Sequence, residues 1–207
     1  MNNRRAFCAV VALSVLASSG LAGCSSSPAT SSGPVPSPSP AEGPSPATPS
    51  PSPLPPRPLA LRLDGIDPCT LLTPKQGRQF SSVPSRRVAD DQEPGIYDCI
   101  WSTFPTNPVS NWTASSVLDH GADYYLDSVT GAQIVQVDGF AAVQTSSNLA
   151  DPERQCLLYV DVAPGQALDV QYINPNGDYP GISHQVACQQ ATKAAELMVA
   201  NLRNLVH

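Results

Sequence analysis

The sequence predicts an α+β domain in which a mostly antiparallel sheet is covered by a long C-terminal helix and by shorter helices. The first observation is an apolar stripe at spacings of three and four along residues 183–206, which is typical of one helix face. The second is a pair of hairpin signals, Asp138-Gly139 and Ala163-Pro164-Gly165-Gln166, between runs of alternating apolar residues. Helices at the beginning, middle and end of such a set of strands indicate the α+β class.

Each predicted helix and strand is supported by a local sequence signal. Thr73-Pro74-Lys75-Gln76 has the form of a capping box with proline at the first helical position, which predicts a helix over 74–80. Apolar residues at i, i+3, i+4 and i+7 from Ala122 predict a second helix over 121–129. Ser183 is a candidate N-cap for the last helix. Alternating residues predict six strands, over residues 98–103, 111–118, 133–137, 139–145, 156–162 and 168–173.

Residues 1–23 have the pattern of an export signal. Arg4 and Arg5 precede an apolar run from Phe7 to Leu16, which is too short for a stable membrane-spanning helix. The next residues, Leu21-Ala22-Gly23-Cys24, resemble a bacterial lipobox. That resemblance implies that the Cys24 sulfur receives a diacylglyceryl group and that acyl chains such as palmitate anchor the mature protein. An ordinary export signal followed by a chance cysteine is the alternative.

A tether is predicted between Cys24 and the folded domain. Residues 25–58 contain 13 prolines and 10 serines and almost nothing apolar, so residues 24–60 are interpreted as the lipidated cysteine plus a disordered spacer. The remaining residues, 61–207, have the length of a single domain. They contain 8 Lys and Arg against 16 Asp and Glu, a formal net charge of −8, which argues against nucleic acid as a partner.

The domain retains four cysteines, Cys69, Cys99, Cys156 and Cys188. An even number in an exported domain predicts two disulfides rather than free thiols, a metal site or a redox pair, and the sequence has no C-x-x-C. Cys188 lies on the apolar stripe of the last helix, and Cys156 lies on the apolar face of strand 156–162. The simplest pairing is therefore Cys156 with Cys188, which leaves Cys69 with Cys99.

Two sequence segments carry a family resemblance. Asp67-Pro68-Cys69-Thr70-Leu71-Leu72-Thr73 and Tyr97-Asp98-Cys99-Ile100-Trp101, followed by a cysteine in a late strand and one in the last helix, resemble a family of small secreted actinobacterial lipoproteins whose shared domain has no assigned function. The segment 137–143 also resembles strands of actinobacterial lipoproteins with a PsbP-like α/β/α sandwich, which implies that architecture. The resemblance implies no catalytic residues. The sequence differs from the family pattern at Gln76, where the family usually has an acidic residue.

The sequence contains no motif for a known catalytic site. We find no G-x-S-x-G, P-loop, H-E-x-x-H or dinucleotide fingerprint, and we expect no catalytic residue, metal or cofactor. His120 and His184 could serve a triad, but no spacing selects a serine partner for either, and His207 is terminal.

The acidic clusters are interpreted as solvated surface rather than cation sites. Asp119, Asp123 and Asp127 recur at every fourth residue around the middle helix, and Asp90, Asp91 and Glu93 form an acidic loop. The segment 174–178 has the composition of a calcium loop without its alternating ligands.

These observations predict a lipid-anchored protein on the outer face of the cytoplasmic membrane in a Gram-positive, actinobacterial envelope. Its domain is expected to be a non-catalytic binding module for a small ligand, an envelope component or a partner protein. The alternative is an envelope hydrolase whose site is assembled from residues distant in sequence. A binder should have a concave apolar patch, whereas a hydrolase should have a nucleophile bonded to His120 or His184. Tyr124 and Tyr179, beside predicted loops, are the candidate ligand-binding residues.

Overall fold

The computed structural model describes residues 53–89, 97–146, 152–175 and 181–206. All of them belong to one compact unit that spans Pro49–His207. The export signal, Cys24, residues 25–52 of the tether, Tyr179 and the acidic loop at 90–93 lie outside the described residues. No helix in the described ranges has both the length and the apolar character needed to cross a membrane.

Seven antiparallel strands form one sheet, in the order β1-β2-β3-β7-β6-β5-β4. The strands are β1 (Arg86–Ala89), β2 (Tyr97–Ser102), β3 (Asn111–Val117), β4 (Gln133–Val137), β5 (Phe140–Thr145), β6 (Gln155–Ala163) and β7 (Gln166–Ile173). The helices are α1 (Pro74–Gly77), α2 (Asp123–Ser128) and α3 (His184–Leu205), with single 3-10 turns at Pro68–Thr70 and Pro152–Arg154. The α+β class and the antiparallel sheet with its C-terminal helix are confirmed.

The capping signals act as the sequence predicts. Thr73 Oγ1 accepts from the Gln76 backbone N–H at 3.3 Å, and Gln76 Oε1 accepts from the Thr73 N–H at 2.9 Å. Ser183 Oγ accepts from Val186 N at 3.3 Å and begins α3. The β4–β5 turn is built from Asp138 (φ 49°) and Gly139 (φ 83°), the left-handed pair that a two-residue hairpin requires.

Three elements differ from the prediction. The edge strand β1 was not predicted, because its four residues are mostly exposed and include two arginines, so no apolar alternation marks it. Helix α1 ends at Gly77 instead of residue 80, because the chain then turns to bury the Phe80 side chain. Helix α2 covers six residues rather than nine.

The two faces of the sheet have different contents. On one face, α3 packs against β6 and β7 and closes the main core, which includes Trp101, Trp112, Leu158, Val170 and Tyr172. On the opposite face a smaller cluster lies beneath α2, made of Leu54, Ala122, Ala141, Val143, Leu157, Tyr159 and Ala167. Beyond that cluster, toward β2, the same face carries polar side chains.

Residues that the sequence analysis assigns to the tether contact this second face. Leu54 is buried in the smaller cluster, and Arg57 Nε lies 2.8 Å from the Asp161 carboxylate. The Leu61 N–H donates to the Val162 carbonyl at 2.7 Å. Residues 53–61 therefore lie against the C-terminal part of β6 as part of the folded unit, with Leu54 in the smaller cluster and Leu61 in the main core.

The disulfides follow the pairing that the sequence predicts. Cys69 is bonded to Cys99, and Cys156 is bonded to Cys188, with Cα–Cα distances of 5.0 and 4.9 Å. The first joins the Pro68–Thr70 turn to β2, and the second joins α3 to β6. One disulfide thus crosslinks the sheet toward its β1 edge, and the other crosslinks it toward its β4 edge.

We expect the double substitution Cys156→Ala/Cys188→Ala to lower the free energy of unfolding by roughly 3–4 kcal/mol, because it releases a closed loop in the unfolded chain. The loop spans 32 residues. Guanidinium chloride unfolding followed by tryptophan fluorescence measures the change, since Trp101 and Trp112 are buried. Cys69→Ala/Cys99→Ala, which opens a loop of 30 residues, should cost a similar amount. A loss below about 1 kcal/mol in both variants would contradict a structural role for the bridges.

Candidate functional site

His184 lies at the first turn of α3 and joins that helix to the sheet. Its Nδ1 donates to the Gln155 carbonyl at 2.9 Å, and its Nε2 lies 3.6 Å from the sulfur of Cys188, which is already bonded to Cys156. Neither contact supplies a nucleophile. The geometry therefore gives His184 a positioning role between α3 and β6.

His120 lies between two side chains in the segment that joins β3 to α2. Its Nδ1 is 2.7 Å from Asp119 Oδ1, and its Nε2 is 2.8 Å from the Tyr125 hydroxyl. Because the carboxylate accepts from Nδ1, a neutral His120 accepts from the Tyr125 hydroxyl at Nε2. In the part of the chain that the structure describes, no serine hydroxyl bonds to either histidine.

The aromatic rings around His120 form a small stack. Tyr124, whose side chain is exposed, has its ring centroid 4.3 Å from that of His120. Tyr125 stacks face to face on Tyr159, with centroids 3.3 Å apart and an interplanar angle of 5°. Tyr124 thus contacts His120, which lines a depression on the second sheet face, but Tyr124 is not itself among the lining residues.

We call this depression the acidic cleft. It has a volume of about 270 Å³ and is lined by Asp98, Ser115, Ser116, Val117, Leu118, Asp119, His120, Tyr125, Asp169 and Gln171. Three of these ten side chains are aspartates, and none is lysine or arginine. Asp123 and Asp127, which share α2 with Tyr125, are not among the lining residues.

The floor of the acidic cleft is one row of residues across the sheet. In the strand register Asp98 pairs with Ser115, Ser115 pairs with Asp169, and Asp169 pairs with Tyr159. Directly paired residues share a face of the sheet. Ser115 Oγ donates to Asp98 Oδ1 at 2.5 Å, and Gln171 Nε2 donates to Asp169 Oδ2 at 2.7 Å.

Asp169 is the most perturbed carboxyl group of the cleft. It is 7% exposed, and its Oδ1 has no hydrogen-bond partner among the described residues. Burial raises the pKa of Asp169 to about 7; the Gln171 hydrogen bond opposes this rise and the charge of Asp98 adds to it. Burial, with a contribution from the Asp169 charge, also raises the pKa of the Tyr159 hydroxyl. A buried carboxyl group that ionises near neutral pH is typical of functional sites.

A second depression, which we call the apolar groove, lies beside the Cys69–Cys99 bridge. It has a volume of about 760 Å³, and its lining is mainly apolar, with Leu72, Pro74, Val83, Pro84 and Trp101. Serines and threonines complete the lining, and Arg78 is its one charged side chain among the described residues. Ser81 fixes one wall, because its Oγ donates to the Ser102 carbonyl at 2.9 Å and accepts from the Ser102 N–H at 3.1 Å.

No arrangement suited to a metal ion is found in the described ranges, where no three His, Cys, Asp or Glu side chains cluster in a suitable way. Asp119 precedes α2 instead of lying on it, so the predicted acidic face of Asp119, Asp123 and Asp127 is not one helical face. Sequence reasoning missed Asp169 and Asp98. The available signal was the β7 alternation, in which Asp169 and Gln171 interrupt an otherwise apolar strand.

Taken together, the fold and the two depressions define a disulfide-crosslinked α+β domain with one acidic cleft and one apolar groove. The chain matches, over residues 19–201, the family described as "Protein of unknown function (DUF3558)". It therefore belongs to the DUF3558 family, and the resemblance to an uncharacterised domain is confirmed at that level. No curated protein and no solved structure matches the chain.

We expect the stability of the protein to depend on pH through Asp169. The folded carboxyl binds its proton near pH 7, whereas an unfolded aspartate binds it near pH 3.9, so folding is favoured as the pH falls between these values. The slope contributed by Asp169 should approach about 1.4 kcal/mol per pH unit. Urea unfolding from pH 5 to pH 8 measures it, and Asp169→Asn should remove it.

The matched control is Asp127→Asn, which removes the same charge from an exposed position on α2. This variant should keep the wild-type slope. If Asp169→Asn and Asp127→Asn gave the same pH dependence, Asp169 would not be the group responsible.

Proposed function

We propose that this protein is a lipid-anchored extracytoplasmic lipoprotein whose domain is a non-catalytic module that binds a small ligand. The anchor is supported by the sequence Leu21-Ala22-Gly23-Cys24 after an apolar run of export-signal length. Two disulfides support an oxidising compartment, because such bridges persist outside the cytoplasm. These features favour the outer face of the cytoplasmic membrane of an actinobacterial, Gram-positive envelope.

The observation that carries the binding role is the apolar groove. Its volume of about 760 Å³ lies within the range of pockets that bury small ligands. Trp101 is itself 2% exposed, so the ring is held in place by the core. The Cys69 end of the groove is fixed by the disulfide to β2, and the Ser81 end is fixed by hydrogen bonds to Ser102. A pocket held at both ends loses little entropy when a ligand enters.

The lining of the groove selects the ligand class. Apolar side chains form most of the surface, and the Ser82 hydroxyl can donate to an acceptor group. The hydroxyls of Thr70 and Thr73 already donate to the Asp67 carbonyl and to Gln76 Oε1. Arg78 adds one positive charge, and none of the described residues that line the groove is acidic. We therefore assign to it a small molecule with an apolar body and one anionic or acceptor group.

The alternative function, an envelope hydrolase, has one observation in its favour. His120 is bonded to Asp119 on one side and to a hydroxyl on the other, which is the order of groups in a nucleophile-activating relay. That hydroxyl belongs to Tyr125, whose ring is stacked against Tyr159, and the Asp119 side chain is 68% exposed. An exposed orienting carboxylate and a packed phenol favour a positioning role for His120, so we retain the binding module.

The finer architecture is part of the same proposal. We infer a PsbP-like α/β/α sandwich, and the placement of α2 on the sheet face opposite α3 supports it. In such an arrangement the sheet is a rigid middle layer, and ligand sites can form on both of its faces.

Binding in the apolar groove is tested with the fluorescent probe 1-anilinonaphthalene-8-sulfonate, which has an apolar body and one anionic group. The folded full-length chain should increase the probe's emission with a saturable titration. Val83→Trp should abolish the increase, because Val83 lines the groove and is 40% exposed, so a larger side chain fills the space. Ile134→Trp, at a similarly exposed site on β4, is the matched control and should bind as the wild type does. Equal titrations for both variants would contradict the assignment.

The anchor is tested by Cys24→Ser in an actinobacterial host. The hydroxyl cannot take the place of the thiol in lipid transfer, so the protein should move from the membrane fraction to the culture medium, and its mass should lack the acyl chains. Cys8→Ser, which changes a cysteine inside the predicted export signal, is the control and should remain in the membrane fraction. Retention of Cys24→Ser in the membrane would argue for a different mode of attachment.

A further inference from the structure

The acidic cleft has a negatively charged lining, which has no part in the binding proposed for the apolar groove. It lies on the sheet face opposite α3, whereas Trp101 of the apolar groove belongs to the α3 face. Its three aspartates are accompanied by no lysine or arginine among the described lining residues. Such a lining disfavours anions and favours a positively charged group.

The row of paired residues on the floor of the cleft places one hydrogen-bond acceptor on each of three adjacent strands. Ser115 lies between Asp98 and Asp169 on adjacent strands, and neighbouring strands are about 4.8 Å apart, so the two aspartate α-carbons lie roughly 10 Å from each other. The Ser115 hydroxyl already donates its hydrogen to Asp98, which leaves its lone pairs as acceptors. The two carboxylates thus flank a hydroxyl oxygen on the floor of the cleft.

The Oδ1 of Asp169, unpaired among the described residues, is a second, independent indication that the cleft binds a hydrogen-bond donor. Its side chain is nine-tenths buried and lines the cleft, yet Oδ1 has no partner in the part of the chain that is described. Leaving a buried acceptor unsatisfied costs about 1–3 kcal/mol and more when the group is charged. The terminal torsion of an aspartate is soft, so the Asp169 carboxylate can reorient to bind a group in the cleft.

The shape of the acceptor set distinguishes among cations. A metal ion is disfavoured, because no cluster of three suitable ligand side chains is found in the described ranges. An ammonium group has three N–H donors and no acceptor, and its charge-assisted bonds to carboxylates are about 2.8 Å long. The ring of Tyr125 lies next to His120 in the lining of the cleft, where it can contact an alkyl chain.

We propose that the acidic cleft binds the primary ammonium group of an aliphatic amine, with Asp98, Ser115 and Asp169 as its three acceptors. The alkyl chain lies along Tyr125 toward the mouth of the cleft. The cavity of about 270 Å³ admits a chain of a few carbons. This site is separate from the apolar groove and does not depend on the function proposed for it.

Binding should depend on pH. Since burial raises the pKa of Asp169 to about 7, the carboxylate that accepts the ammonium group is lost as the pH falls through this value. The other titratable groups around Asp169 are Asp98 on β2, Tyr159 on β6, Tyr125 on α2, and Asp119 and His120 before α2. One competing proton weakens the affinity about 30-fold between pH 8 and pH 5.5.

The experiment uses n-butylammonium as the probe, with butanol and tetramethylammonium as matched compounds. Butanol has a similar alkyl body without the charge, and tetramethylammonium has the charge without N–H donors. Backbone amide NMR shifts of the full-length chain are followed during each titration. n-Butylammonium should shift the resonances of residues 98, 115, 169 and 171, and neither matched compound should do so.

Three variants decide the assignment. Asp169→Asn and Asp98→Asn should each weaken n-butylammonium binding at least about tenfold at pH 8, whereas Asp127→Asn should change it less than about twofold. Thermal unfolding of each variant establishes that it is folded. The proposal is overturned if Asp169→Asn binds as tightly as the wild type or if butanol produces the same shifts. It is also overturned if n-butylammonium produces no shifts up to about 10 mM.

Discussion

The close contact between α3 and the middle of the sheet is the feature on which the rest of the structure depends. Four buried alanines, Ala187, Ala191, Ala194 and Ala195, let the helix approach the strands, and the Cys156–Cys188 bond holds the Cα atoms 4.9 Å apart. The strands beneath it, β6 and β7, are buried almost throughout. Because α3 covers β6 and β7 and the Pro68–Thr70 turn packs against β2 and β3, the main core is buried on that side. The opposite face can therefore carry polar groups near its centre without loss of the fold.

The second face of the sheet can accommodate a buried aspartate because the main core lies on the other face. A buried aspartate destabilises a domain when it is charged, and a small domain with an incomplete core would tolerate it poorly. Here the apolar cluster around Tyr159 and the main core beneath α3 provide the stabilisation that offsets Asp169. The acidic cleft and the apolar groove lie on different faces of the sheet, and Asp98 and Trp101 face opposite sides of the same strand, β2. A ligand in one therefore need not exclude a ligand in the other.

The sequence was sufficient to predict the helices and strands whose apolar residues recur with the period of a buried face. The α3 stripe, the two hairpins and the disulfide pairing follow from periodicity, since each places an apolar side or a sulfur toward the same interior. Strand β1 could not be predicted, because an edge strand of mostly exposed residues has no periodic signal. The acidic cleft could not be predicted either. Asp98, Ser115 and Asp169 are far apart in the chain, and only the strand order β2-β3-β7 makes them neighbours.

The contacts of residues 53–61 have a mechanical consequence. A pulling force applied through the chain before residue 53 first loads the packing of Leu54, then the ion pair of Arg57 with Asp161, then the Leu61–Val162 hydrogen bond. These contacts lie in series along the chain, so they can yield one after another at low force. The force next reaches the part of the chain closed by the Cys69–Cys99 and Cys156–Cys188 bonds, where the enclosed residues cannot extend. Residues 53–61 would therefore extend before the two loops enclosed by disulfides, residues 69–99 and 156–188, which add no length under load.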